Sequence, residues 1–80
     1  MPQEEETFEC HDIYLAAYLS EAGCELKGRR KQGHRVFLVF SNVGGSIKNL
    51  REDFFSGKAK VSACRFADAI KKMKELVHLD

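Results

Sequence analysis

The densest concentration of chemistry in this sequence is the stretch KGRRKQGHR, residues 27–35. Lys27, Arg29, Arg30, Lys31 and Arg35 put five positive charges into nine residues, with no acid among them. Guanidinium forks match phosphate oxygens two at a time, and ammonium groups bind them as point charges. The chemistry on offer is therefore recognition of a phosphate backbone, with Arg29, Arg30 and Lys31 making contacts and Lys27 and Arg35 at the base. His34 joins them when protonated. If four or five phosphates are engaged, log K falls with log[salt] at a slope of roughly −4. A plainer account competes, because hairpin loops are polar and lysine and arginine guard strand edges against aggregation. No aromatic interrupts the run, so within it there is no platform for stacking bases.

The other reactive residue types are scattered. Cys10, His11, Cys24, His34, Cys64 and His78 are ligand types, but no two of them have the C-x₂₋₄-C or H-x₃₋₅-H spacing of a zinc site. No metal and no cofactor is expected. Cys10 and Cys24 read as small buried apolar residues, while Cys64, two residues past Ser62, opens a helix. VFSNVGGSIKN, residues 39–49, combines a strand, a glycine pair and a helix start beside Lys48, a setting for an anion. It lacks the glycine spacing of a nucleotide loop, so a turn and a cap are the expectation. No nucleophile, base and orienting group are placed together, and an enzyme is not expected.

These residues must be positioned by short elements. Asp12 suits the N-cap of a helix running through DIYLAAYLSEAG to Gly23. Its apolar residues go almost all round, which implies burial on more than one side, and the Ala16–Ala17 pair suits close packing on a sheet. CELKGRRKQGHRVFLVF reads as a β-hairpin. Val36, Leu38 and Phe40 alternate with Phe37 and Val39, so the second arm is apolar on both faces and is the expected central strand. Gly28 and Gly33 bracket a connection read as longer than a two-residue turn, with the basic run at its tip. Ser46 is placed to cap a helix to about Phe55, with Ile47, Leu50 and Phe54 inward, ending at Gly57. KAKV, residues 58–61, reads as a brief strand or an extended connector. Ser62 caps a last helix with Phe66, Ile70, Met73 and Val77 as its inward stripe. Thr7 to His11 alternate as a short edge strand. The order β-α-β-β-α-(β)-α predicts an α+β fold, a small antiparallel sheet with its helices mainly on one face.

Eighty residues, 44% apolar, hold one core and leave no room for a second. The domain is expected over 7–80, behind a flexible acidic tail at 1–6. Net charge is only +1, but outside the basic run eight basic residues face twelve acids, a net of −4. A polarised surface of this kind steers anionic partners. Three widely spaced cysteines and an acidic N-terminus without an apolar stretch point to reduced thiols and a cytoplasmic location. No apolar run reaches the roughly 18 residues that span a bilayer.

DIYLAAYLSEAG, a hairpin ending in RVFLVF, then DFFSGKAKVSACRF and ADAIKKMKELV together resemble a family of small bacterial and phage-associated proteins catalogued only as a domain of unknown function. In that family an Asp-led LAAYL…G helix precedes an FxF strand. An aromatic pair with Gly, then Val, Phe and a Lys-Leu helix, closes the domain. The resemblance covers about residues 7 to 77, rests on core and cap residues, and implies a fold without implying a chemistry. The basic tip departs from the family pattern.

The function expected is that of a small non-enzymatic binding module, with Lys27, Arg29, Arg30, Lys31, His34 and Arg35 as candidate contacts to DNA or RNA. The alternative is a protein-interaction or homodimerisation module using sheet edges or aromatic helix faces, with Tyr14, Tyr18 and Phe55 as candidate interface residues.

Overall fold

The computed structural model describes residues 6–42 and 45–78. The chain runs β1 (Thr7–Cys10), α1 (Ile13–Glu21), β2 (Leu26–Gln32), β3 (Arg35–Ser41), α2 (Ile47–Ser56) and α3 (Ala63–Val77). The strands form one antiparallel sheet in the order β1-β3-β2. The arm that is apolar on both faces is thus the central strand, flanked by two edges. This is the α+β arrangement that the pattern predicts.

Strand register decides which residues share a face. Phe8 and Cys10 lie opposite Phe40 and Leu38, and Leu26 lies opposite Phe40 from the other side. Successive side chains alternate across a sheet, so these residues face one way, with Val36, Arg29 and Lys31. Thr7, Glu9, Arg30, Gln32, Arg35, Phe37, Val39 and Ser41 face the other. The first set meets the helices. Phe40, Leu38, Leu19 and Ile47 are fully buried there, each worth about 1.5–3 kcal/mol over exposure.

Asp12 caps α1 by accepting from the amides of Tyr14 at 2.9 Å and Leu15 at 3.2 Å. Five consecutive residues, Leu15 to Leu19, are buried, which a one-sided surface helix does not show. The helix is indeed covered on several sides. It packs chiefly on α3 and less on α2 and β1, so the Ala16–Ala17 pair sits in a helix whose nearest neighbour is α3 rather than the sheet. Arg65 of α3 closes on Glu21 of α1 at 3.0 Å. In α3, Ala69 and Met73 are buried, and Phe66, Ile70, Leu76 and Val77 pack around them.

Three local expectations are corrected, and the open alternative at residues 58–61 is decided. Ser46 does not cap α2, because its backbone is already helical and its hydroxyl makes no cap bond. Asn42 does this instead, its side-chain oxygen accepting from Ile47 N at 3.2 Å. Residues 58–61 form no strand; Lys58 and Ala59 donate their amides to the Asp53 carbonyl, at 2.9 and 3.1 Å, and the segment is a connector. Of the expected tail, residues 1–5 lie outside the described residues, whereas the carbonyl of Glu6 accepts from Asn42 N at 2.8 Å and continues the β1–β3 ladder.

The third correction concerns the hairpin. The connection is two residues, Gly33 and His34, closed by the pair Gln32–Arg35. Gly33 has φ +61° and His34 a negative φ, the pattern of a II′ turn, which needs glycine first. Gly28 is not part of the connection at all. It lies within β2, just after a bulge between Leu26 and Gly28. From Lys27 to Gln32 the basic run is therefore strand, with only Gly33 and His34 in the turn.

Candidate nucleic-acid interface

Placing the run on a strand divides it. Arg29 and Lys31 fall on the helix-side face of β2, opposite Leu38 and Val36. Arg30 falls on the open face, opposite Phe37, with Arg35 on the same side. Every residue from Arg30 to Arg35 is exposed, and Arg29 is half-buried. The distal half of the hairpin is thus a solvent-facing ribbon with cations on both faces and His34 in its turn.

Arg30 differs from its neighbours. Its Nε and Nη2 both donate to Glu9 Oε1, at 2.9 and 2.5 Å, reaching across the whole width of the sheet from β2 to β1. Its Nη1 donates to Gln32 Oε1 at 3.0 Å. The guanidinium carbon lies 4.7 Å from the centre of the Phe37 ring, and His11 meets the same ring edge-on with centroids 5.5 Å apart. Hydrogen bonding to Glu9 raises the already high pKa of Arg30. Each of the three guanidinium nitrogens already donates a hydrogen bond to Glu9 or Gln32, so Arg30 is not a wholly free phosphate fork. Lys27 pairs with Glu25 at 3.4 Å. Among the described residues, Arg29, Lys31 and Arg35 have no acidic partner, and the available positive charge rests on them.

The remaining candidates are quickly placed. Tyr18 is 7% exposed and stacks on Phe54 with centroids 5.6 Å apart; it belongs to the core and is unavailable as an interface residue. Tyr14 and Phe55 are 55% and 63% exposed. Phe55 borders a groove beside β1 lined by Phe8, His11, Leu15 and Arg51. Among the described residues no cluster of three His, Cys, Asp or Glu side chains could hold a metal. Burial pushes the Cys10 and Cys24 thiols up, away from the thiolate that nucleophilic or ligand chemistry requires.

Glu9, Gln32, Phe37 and His11 were not marked by sequence reasoning as parts of the site. Alternation on β1 and on the second hairpin arm does place Glu9 and Phe37 on definite faces. What neither strand discloses is the order β1-β3-β2, which puts Phe37 between Glu9 and Arg30.

These features define a small α+β domain whose three-stranded sheet carries its helices on one face and extends a cationic hairpin into solvent. The chain belongs to the family described as Domain of unknown function (DUF5659), which matches residues 5–79. No curated protein and no solved structure matches it. Among the described residues no helix is long and apolar enough to cross a membrane.

Proposed function

We propose that the domain is a non-enzymatic binding module that contacts nucleic-acid phosphates through the distal β2–β3 hairpin. The observation that carries this reading is that Arg29, Lys31 and Arg35, spread over the two faces of the distal hairpin, have no acidic partners among the described residues. Nothing in the fold needs three unpaired cations there. A single lysine would guard the β2 edge, and charges concentrated at a protruding end favour an anionic partner. A bacterial or phage-associated setting and a cytoplasmic location belong to the same proposal.

The test is fluorescence anisotropy with labelled single-stranded and duplex DNA and RNA, from low to physiological salt. It compares the wild type with an Arg29/Lys31/Arg35→Ala variant whose fold is checked by circular dichroism. Salt-steep binding that the variant loses supports the reading; equal binding by the two proteins, or none at low salt, overturns it. The exposure of Phe55 and Tyr14 favours a second reading, a protein-interaction or homodimer module. Sedimentation at high micromolar concentration, compared with Phe55→Ser, tests self-association.

A further inference from the structure

We infer that Arg30 and Phe37 form a stacking platform, and that the nucleic acid this surface takes is single-stranded, with a base laid flat on the open face of the sheet. The inference deepens the phosphate-binding reading above and rests on it.

A guanidinium group has two kinds of surface, its N–H edge and its two flat faces. In Arg30 three of the five N–H groups on the edge donate to Glu9 and Gln32, and the guanidinium carbon lies over the Phe37 ring at 4.7 Å from its centre. The side chain is still 44% exposed, which leaves guanidinium surface turned away from Phe37 open to a ligand. A planar, delocalised cation held rigidly in this way stacks on a nucleobase, as arginine planes and aromatic rings do in single-strand recognition. Held by Glu9 and by the ring beneath, the side chain has less rotamer freedom left to lose on binding.

Room for the base is present beside it. Gly28 occupies the same open face two residues before Arg30, opposite Val39, and a Cβ there would meet no atom within 4 Å. Val39 is half-buried and offers an apolar floor. Charge is also in place. Arg35 shares this face with Phe37, two residues away, about 7 Å along β3, while Arg29 and Lys31 lie on the other face of the same ribbon. One base on the platform and its flanking phosphates on these cations satisfy both parts of the surface. A duplex, whose bases are already stacked within it, satisfies only the phosphate part.

The experiment uses the full chain and two oligonucleotides of equal length and equal phosphate number. One is a single strand carrying 2-aminopurine at its centre, prepared as DNA and as RNA. The other is the same strand with abasic sites at the three central positions. The base-bearing strand is expected to bind about 10-fold more tightly, since stacking is worth about 1–3 kcal/mol per base, and its 2-aminopurine fluorescence is expected to be quenched. Arg30→Lys keeps the charge and loses the plane, and it narrows the gap between the strands. Gly28→Thr, a side chain suited to a strand, fills the room without touching Arg30 and narrows the gap too. Equal binding of the two strands by the wild type overturns the platform while leaving phosphate binding intact. Absence of binding to either strand overturns both readings. A gap that survives in both Arg30→Lys and Gly28→Thr moves the stacking site elsewhere and overturns this assignment.

Discussion

The guanidinium carbon of Arg30 lies 4.7 Å from the centre of the Phe37 ring, its partner residue in the adjacent strand. Cross-strand neighbours are the unit of sheet stabilisation, and here the pair carries a third member, because Glu9 holds the guanidinium in place from the far strand. The relationship is directly observable. In a proton–nitrogen NMR spectrum the Arg30 Nε–H is expected to remain visible at neutral pH, protected by Glu9, and to be displaced by the Phe37 ring current. Phe37→Leu should remove the displacement and Glu9→Gln the protection. An Arg30 signal that behaves like those of other exposed arginines would contradict the arrangement.

Helix capping supplies a second prediction, with a built-in contrast. Asp12 accepts two amides at the start of α1, whereas the Ser46 hydroxyl accepts none at the start of α2. Asp12→Ala should cost about 1 kcal/mol of unfolding free energy. Ser46→Ala should be close to neutral, and Asn42→Ala should take the larger loss at that helix. Urea denaturation followed by circular dichroism measures all three. A loss at Ser46 equal to that at Asp12 would show that the two caps are equivalent after all.

The contrast also shows what the sequence made legible. Asp12, Gly23 and Gly57 mark helix ends through short-range chemistry, and the alternation of Val36 to Phe40 identifies the central strand by its two apolar faces. The elements, their order and the fold class followed from such local signals. The site did not, because its parts come from three strands. Arg30 looks like one more cation in a charged run until strand order sets Glu9 and Phe37 beside it. The turn was misjudged for a related reason. Arginine and lysine are tolerated in loops and on edge strands alike, so composition could not place the run. Gly33 followed by a non-glycine fits a II′ turn, and that signal would have shortened the connection to two residues.

Thiol chemistry should follow burial. Cys10 is buried, Cys24 intermediate and Cys64 exposed, so alkylation of the native protein should label Cys64 first and Cys10 last. Mass spectrometry after timed iodoacetamide treatment reads the order. The pH dependence has a fixed sign. Burial raises the Cys10 and Cys24 pKa values in the folded state, so the unfolded state loses these protons first. The stability due to the neutral thiols is fully present below the ordinary thiol pKa of about 8.5 and falls as pH rises beyond it. Cys10→Ala should flatten that decline, and a wild-type stability that rises from pH 8 to pH 10 would be the opposite of this expectation.

Core substitutions should be severe for a domain of this length. At about 0.05–0.15 kcal/mol per residue its total stability is on the order of 4–12 kcal/mol. Phe40 is fully buried at the centre of the sheet's inner face, and Phe40→Ala should cost about 3–5 kcal/mol, a large share of that total. Ile47→Val, at an equally buried position, should cost about 0.5–1.5 kcal/mol and leave the fold intact. Thermal melts distinguish them, and similar midpoints would mean that Phe40 is less tightly packed than its burial implies.

The salt dependence of nucleic-acid binding tests how the basic run is divided. Counting all five of its cations as phosphate contacts to a single strand gives a slope of roughly −3.5 in log K against log[salt]. The structure sets Arg30 against Glu9 and Lys27 against Glu25, which leaves Arg29, Lys31 and Arg35. Three contacts to a single strand give a slope of about −2, at roughly −0.7 per phosphate. Each single alanine substitution among the three should then flatten the slope by a similar step. Arg30→Ala, by contrast, should weaken binding through lost stacking, with a smaller change in slope. A wild-type slope of about −3, or an Arg30 variant that flattens it as much as Lys31→Ala does, would return Arg30 to the phosphate-binding set. The ion pair with Glu9 would then have to break on binding, and Glu9→Gln, which weakens Arg30's hold on the sheet, should tighten the complex rather than loosen it.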